Sequence, residues 1–368
     1  MYRAWFHILS TPCFCRWATG LAFLLMAARF ARADEAVLAL NGFDPVLLTE
    51  GTEVKGKAGL QVTQGRYRYR FADTENQHKF EAAPDRYGIQ LDGFCMKMGP
   101  LSGRGSPDRW LVSAGRIYLF ASESCRNSFK ADPAAYTDRA DSPPVGNAAS
   151  RARGRELIAF ALAGFGGVDK VDALKNVRFC AETIYEQEGK TTRMRQATTV
   201  VMPDQLRLDY AYGDFRETHE LSGGRLVEVS AKNDITPLPA DVYEFVRRRL
   251  YREPLALLRA RNEPGFVAIG GGKGEIAGQS VEWLHIGYAG ATTKLGMEPK
   301  TGRVLAAVYR GRAPSQLGEI CRTYSHFETV EGGLTLPLQW DVTYEGRPAP
   351  GPKPASRAVS VNVPIESR

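Results

Sequence analysis

The sequence predicts an α+β protein of two domains, a small mixed module followed by a curved antiparallel half-barrel with a helical insert. Three observations lead there. First, YRFADTENQHKFEAAPDRY (Tyr69–Tyr87) lines up without a gap with YLFASESCRNSFKADPAAY (Tyr118–Tyr136), so one strand-then-helix unit occurs twice. Second, the C-terminal half reads as a long series of short strands separated by polar or glycine turns. Third, Thr137–Gly154, with Asp141-Ser-Pro-Pro-Val-Gly-Asn147, breaks the composition between them. The boundaries drawn from these are 1–33 for an export signal, 36–140 for the first domain, 141–154 for a linker and 155–368 for the second domain.

Taken in order, the chain opens with arginines flanking a short apolar run, Leu21–Ala28, followed by Ala31-Arg32-Ala33. That is the grammar of a cleaved secretory signal, and it predicts a periplasmic or other envelope location. Residues 1–33 carry four arginines and no acid, so their removal lowers the formal charge from +7 to +3. A balance that small, without a basic run interleaved with aromatics, excludes nucleic acid as the expected partner. The apolar fraction of 43% and charged fraction of 24% are those of a globular protein.

In the first domain, Asp44-Pro45 marks a turn, and Arg66–Phe71 alternates as a strand with aromatics on one face. Asp73 or Thr74 can cap the helix after it, and Pro84 stops that helix. The same order returns at Arg116–Phe120, Ser122 and Pro133. Between the two units lies Cys95-Met96-Lys97-Met98. A thiolate with two thioethers and an imidazole suits copper(I), and cysteine with histidine also suits zinc. Cys95, Cys125, His78, Met96 and Met98 are therefore the candidate metal ligands. The alternatives are a plain disulfide for the cysteines, core filling for the methionines and a helix surface for His78. A catalytic Cys95–His78 pair lacks an identifiable orienting residue or oxyanion donor, so a binding role is expected rather than an enzymatic one.

These segments carry a family resemblance. Asn41-Gly-Phe-Asp-Pro-Val46, Tyr69-x-Phe-Ala72, Phe80-x-Ala-x-Pro-x-x-Tyr87, Gly93-Phe-Cys95 and Gly115-Arg-Ile-Tyr-Leu-Phe120 together resemble the YHS domain. The resemblance implies a small module related to treble-clef metal-binding domains, handling a heavy metal through Cys95. The chain departs from the family's pattern just after that cysteine, at Met96-Lys97-Met98.

In the second domain Arg155–Gly166 reads as a helix. Strands come next at Lys175–Glu186, Arg193–Val201, Gln205–Tyr212, Glu217–Leu221 and Leu226–Val229, and resume from Phe266 to Val363. The insert Ala240–Arg261 carries Val242, Phe245, Val246, Leu250, Leu257 and Leu258 on one side. Arg247, Arg248, Arg249 and Arg252 on its other side read as a solvated face or as a contact for anionic lipid headgroups. Pro203–Asp209, Glu298–Val304 and Val330–Pro337 resemble the strand starts and hairpin of the LolA/LolB-type lipoprotein carriers. That resemblance implies a curved sheet over an apolar groove, hence a lipid or lipoprotein acyl chain as the alternative ligand. Gly270–Gly274 lacks the spacing and hydroxyl of a phosphate loop and reads as a hairpin turn. His219, His285 and His326 share no short motif and read as ordinary strand residues. In an oxidising compartment, the economical disulfide pairing is Cys95–Cys125 with Cys180–Cys321, although sequence leaves the connectivity open.

Overall fold

A computed structural model describes residues 36–187, 190–312, 316–349 and 354–365. The expected export signal at 1–33 lies outside the described residues. The described residues open with β1 (Val37–Leu38), α1 (Pro45–Thr49), β2 (Lys57–Gln64), β3 (Tyr67–Phe71), α2 (Thr74–Ala82) and α3 (Pro84–Tyr87). A hairpin of β4 (Ser106–Ser113) and β5 (Arg116–Phe120) then leads into α4 (Glu123–Ala131).

The internal repeat is a repeat of packing. Asp73 caps α2 by accepting from the Asn76 amide, and Ser122 caps α4 by accepting from the Cys125 amide. Phe80 on α2 and Phe129 on α4 are both fully buried. Phe71–Phe80 and Phe120–Phe129 show the same ring-centroid separation, 5.3 Å. Aromatics at the end of each strand thus hold the next helix by a tilted ring contact.

Next come α5 (Ala148–Gly164) and α6 (Val168–Ala173). One sheet is built from β6 (Asn176–Gln187), β7 (Lys190–Val201), β8 (Gln205–Tyr212), β9 (Phe215–Ser222), β10 (Arg225–Ser230) and β11 (Ile235–Pro237). Its last strand is β19 (Ser356–Val361), which pairs antiparallel with β6 to give seven strands ordered β11-β10-β9-β8-β7-β6-β19. Helices α7 (Ala240–Leu250) and α8 (Pro254–Arg259) interrupt the strands. A second seven-stranded antiparallel sheet runs consecutively through β12 (Val267–Ile276), β13 (Gln279–Tyr288), β14 (Ala291–Met297), β15 (Val304–Arg312), β16 (Leu317–Thr329), β17 (Thr335–Tyr344) and β18 (Arg347–Pro348).

The expected fold class is corrected by this architecture. The chain is predominantly β, with two large antiparallel sheets rather than one half-barrel beside a small metal-binding module. The expectation overweighted the two strand-helix units, whose helices are only nine residues long. The N-terminal units are also fastened to the two large sheets and their helices. Phe94 belongs to the same buried cluster as the leucines and valines of both large sheets. The Leu91 amide donates to Asp241 on α7 at 2.8 Å, and Arg312 on β15 donates to the Lys97 carbonyl at 3.0 Å.

Register explains the core. Val177, Val200, Leu206, Leu221 and Leu226 lie in one cross-strand row on one face of the first sheet, and all are buried. They share a cluster with Leu284, Ile286, Leu295, Leu336 and Trp340 of the second sheet and with Val242, Val246, Leu257 and Leu258 of the helices. Each such side chain contributes about 1.5–3 kcal/mol by leaving water. Helix α5 lies close on β12 because Gly154 has no side chain; a Cβ there would sit 2.5 Å from the Ala268 carbonyl oxygen.

Two local expectations also change. Gly270–Gly274 lies inside β12, with a bulge between Gly270 and Gly272, and is not a hairpin turn. On α7 and just after it, Arg248, Arg249 and Arg252 are buried at 7%, 7% and 6% exposure, so this is not a solvated face. Arg248 and Arg252 approach Asp138 at 3.4 and 3.9 Å. The helix is covered on both sides, and periodicity reports only the apolar one.

Candidate functional site

The first candidate is an apolar crevice between the two sheets. Its walls are Val177, Phe179, Val200 and Val359 of the first sheet and Val304, Tyr324, Leu336 and Pro337 of the second. Phe165 closes one side, and Pro254, Leu255 and Ala256 at the start of α8 form a roof. The crevice encloses about 530 Å³, its open mouth included. Its one charged wall residue is Glu253, which accepts from Arg322 Nη1 at 2.8 Å. Both partners are largely buried, at 12% and 3% side-chain exposure. Pro254 sits at the first position of α8, where its missing N–H costs nothing.

The second candidate is ionic and lies on β9 and β10. Glu217 and His219 are two residues apart and face the same way, and His219 is paired in register with Glu228. Their ligand atoms all lie within 4.8 Å of one another. His219 Nε2 stands 3.4 Å from Glu217 Oε1 and 3.9 Å from Glu228 Oε2, and its side chain is 0% exposed. Neither ring nitrogen has a hydrogen-bond partner. Burial pushes Glu217 up to about 7 and His219 down to about 4. Burial acts against ionised Glu228 as well, but Arg104 and Arg66 hold its carboxyl below the ordinary range.

Those two arginines come from the N-terminal units. Arg66 Nη2 and Arg104 Nη2 each donate to Glu228 at 2.6 Å. Both also bond Asp92, Arg66 Nε at 3.1 Å and Arg104 Nη1 at 2.6 Å. The Arg104 guanidinium stacks 4.3 Å from the Phe94 ring centroid. Glu217, a quarter exposed, lines a polar cleft of about 610 Å³ with Arg207, Asp209, Tyr210 and Thr218.

The ligands expected from the sequence are not gathered into a set of this kind. Cys95 and Cys125 are neighbours in a small buried cluster with Met96, Phe120, Phe129 and Tyr136, and Met98 packs against it. The Cys95 thiol is held above its ordinary range by its hydrogen bond to Cys125 and by burial, while Cys125, the acceptor, goes below. His78 is exposed on α2, whose buried face packs into a different cluster. Among the described residues, the single group of three His, Cys, Asp or Glu ligand atoms is Glu217, His219 and Glu228. The heavy-metal reading of the cysteine loop therefore has no support in this geometry.

The expected disulfides are absent as well. All four described cysteines are free, and Cys180 and Cys321 lie in different sheets, on β6 and β16. Non-reducing peptide mapping is expected to recover no Cys180–Cys321 linked peptide; finding one as the main species would contradict this strand arrangement. The signal for the ionic group was present in the sequence, as Glu-x-His before Gly223-Gly224 and a glutamate four residues beyond them. It becomes readable only once the hairpin register is fixed.

Among the described residues no helix is long and apolar enough to cross a membrane. No family model matches the sequence, and no curated protein matches it. Nothing in these comparisons supports the YHS resemblance. Among solved structures, the chain is similar to a DUF1329 family protein from Desulfovibrio piger, at 11% identity and a TM-score of 0.38, covering 58% of this chain and 95% of that one. It is also similar to a putative outer membrane lipoprotein-sorting protein domain from Vibrio parahaemolyticus, at 12% identity and a TM-score of 0.35, covering 59% and 95%. A third is a LolA superfamily protein from Nitrosomonas europaea, at 9% identity and a TM-score of 0.33, covering 56% and 89%. At such identities and TM-scores the likenesses carry no weight for function, which rests on the chain's own geometry.

Proposed function

We propose that this chain is a non-enzymatic carrier of a hydrophobic ligand, an acyl chain held in the crevice between the two sheets. The observation that carries the reading is the composition of that crevice. Its walls come from both sheets and α8, and every lining residue except Glu253 is apolar or aromatic. Such a wall offers burial and no reactive group, which fits transport rather than catalysis. The crevice is open at its mouth, and an acyl chain would enter there beneath the Pro254–Ala256 roof. An envelope setting is part of the proposal and rests on the signal-like N-terminus.

The test uses a fluorescent sixteen-carbon fatty acid and the variant Val359→Asp. Val359 lines the crevice and is only partly buried, so the carboxylate enters the wall without emptying the core. Saturable binding by the native chain, weakened at least about tenfold by the variant while the melting curve moves little, is the expected result. No saturable binding by the native chain, or equal binding by both, would refute the crevice as a carrier site.

A further inference from the structure

We infer that Glu217, His219 and Glu228 form a binding site for one divalent transition-metal ion of the zinc class, separate from the acyl crevice. One imidazole nitrogen and two carboxylate oxygens are a donor set that zinc takes, leaving a fourth position for water. With metal–ligand bonds near 2.1 Å, a tetrahedral site places its donor atoms about 3.4 Å apart. The His219–Glu217 pair already stands at 3.4 Å and His219–Glu228 at 3.9 Å. The remaining pair lies within 4.8 Å, so closing the site needs a carboxylate rotation and no backbone movement.

His219 points to a ligand independently of the acids. A fully buried imidazole with neither nitrogen hydrogen-bonded is costly, and its Nε2 faces the two carboxylates. An ion there would satisfy that nitrogen. The quarter-exposed Glu217 itself provides the entry path that a buried site requires.

Charge is compatible with one divalent ion. Glu217, Glu228 and Asp92 oppose Arg66, Arg104 and Arg249, so the three carboxylates and three guanidinia balance, and the ion's charge is met by the two carboxylates it ligates. Arg66 donates to one Glu228 oxygen and Arg104 to the other, at 2.6 Å each, and each oxygen keeps a second lone pair. They orient the carboxylate much as outer partners orient metal ligands elsewhere. An ion at Glu228 would then tie the β9–β10 hairpin to Arg66 and Arg104, and so to the N-terminal units.

The experiment titrates ZnCl2 into the full chain after EDTA treatment and dialysis, by calorimetry, with the melting temperature followed in parallel. The expected result is one ion per chain and a rise in melting temperature with zinc. Glu217→Gln keeps the size of a partly exposed side chain and removes a ligand charge. It should weaken affinity on the order of 10²-fold without changing the zinc-free melting temperature. His219→Ala should abolish binding; if it fails to fold, Glu217→Gln decides alone. Cys95→Ser/Cys125→Ser should bind zinc like the native chain. No uptake by the native chain, unchanged affinity in Glu217→Gln, or loss of binding in the cysteine variant would each overturn the assignment.

Discussion

Replacing Arg322 with alanine is expected to destabilise the protein by about 3–5 kcal/mol, the largest single-residue effect on the crevice side. Arg322 lies on β16 and Glu253 just before α8, so their 2.8 Å contact joins a sheet to the roof helix. Removing the guanidinium leaves the Glu253 carboxylate facing Leu255, Leu336 and Val304 with no countercharge. The cost is chiefly that stranded charge, not the worth of the pair. The double variant Arg322→Met/Glu253→Leu removes both charges and should recover most of the loss. Urea midpoints at constant m-value measure both. A loss below about 1 kcal/mol for the single variant would mean that water reaches Glu253 and that the crevice is wet.

Asp44→Ala is expected to cost roughly 3 kcal/mol, confined to the N-terminal units. Asp44 is 0% exposed, and its carboxylate is fully used. Oδ1 accepts from the Val46 and Leu47 amides at 2.9 and 3.3 Å, capping α1. Oδ2 accepts from the Ala72 amide at 2.8 Å and from Asn76 Nδ2 at 3.0 Å, tying α1 to the β3–α2 junction. Alanine leaves these donors without an acceptor in a place water reaches poorly. Asp44→Asn keeps the cap but turns an amide toward two donors, so about half the loss is expected. Hydrogen exchange should speed up across residues 37–87 and stay unchanged in β12–β17. Uniform acceleration would show that the carboxylate supports the whole chain; no acceleration would show that it supports neither.

Much of the local structure was legible in order along the chain. The Tyr69–Tyr87 and Tyr118–Tyr136 match marked two units that pack Phe80 and Phe129 alike, because the same residues sit at the same helical positions. Strand positions in the second half came from alternation, as at Gln205–Tyr212, expected and found with the same ends. The apolar crevice was reachable only as an implication of a resemblance; its walls come from residues as distant as Val177 and Val359. Soft-donor chemistry drew attention to Cys95, Met96 and Met98, which are as well suited to filling a core as to binding a metal. His78 and Cys95 were joined in sequence by proximity, and the fold puts them in different environments.

The sequence by itself determined periodic and capped elements: which stretches alternate, where Asp73 and Ser122 start helices, and which face of Ala240–Arg261 is apolar. These depend on residues within a few positions of one another, and side-chain period and capping geometry are local. Tertiary structure alone decided that the strands divide into two sheets, that Arg248, Arg249 and Arg252 turn inward, and that β19 returns to β6. It also brought Glu228 to His219 and laid Arg66 and Arg104 against it. Those arrangements join residues up to 184 positions apart, as Val177 is from Val361. What selects them is the joint burial of faces from separate elements, a term that no short window of sequence contains.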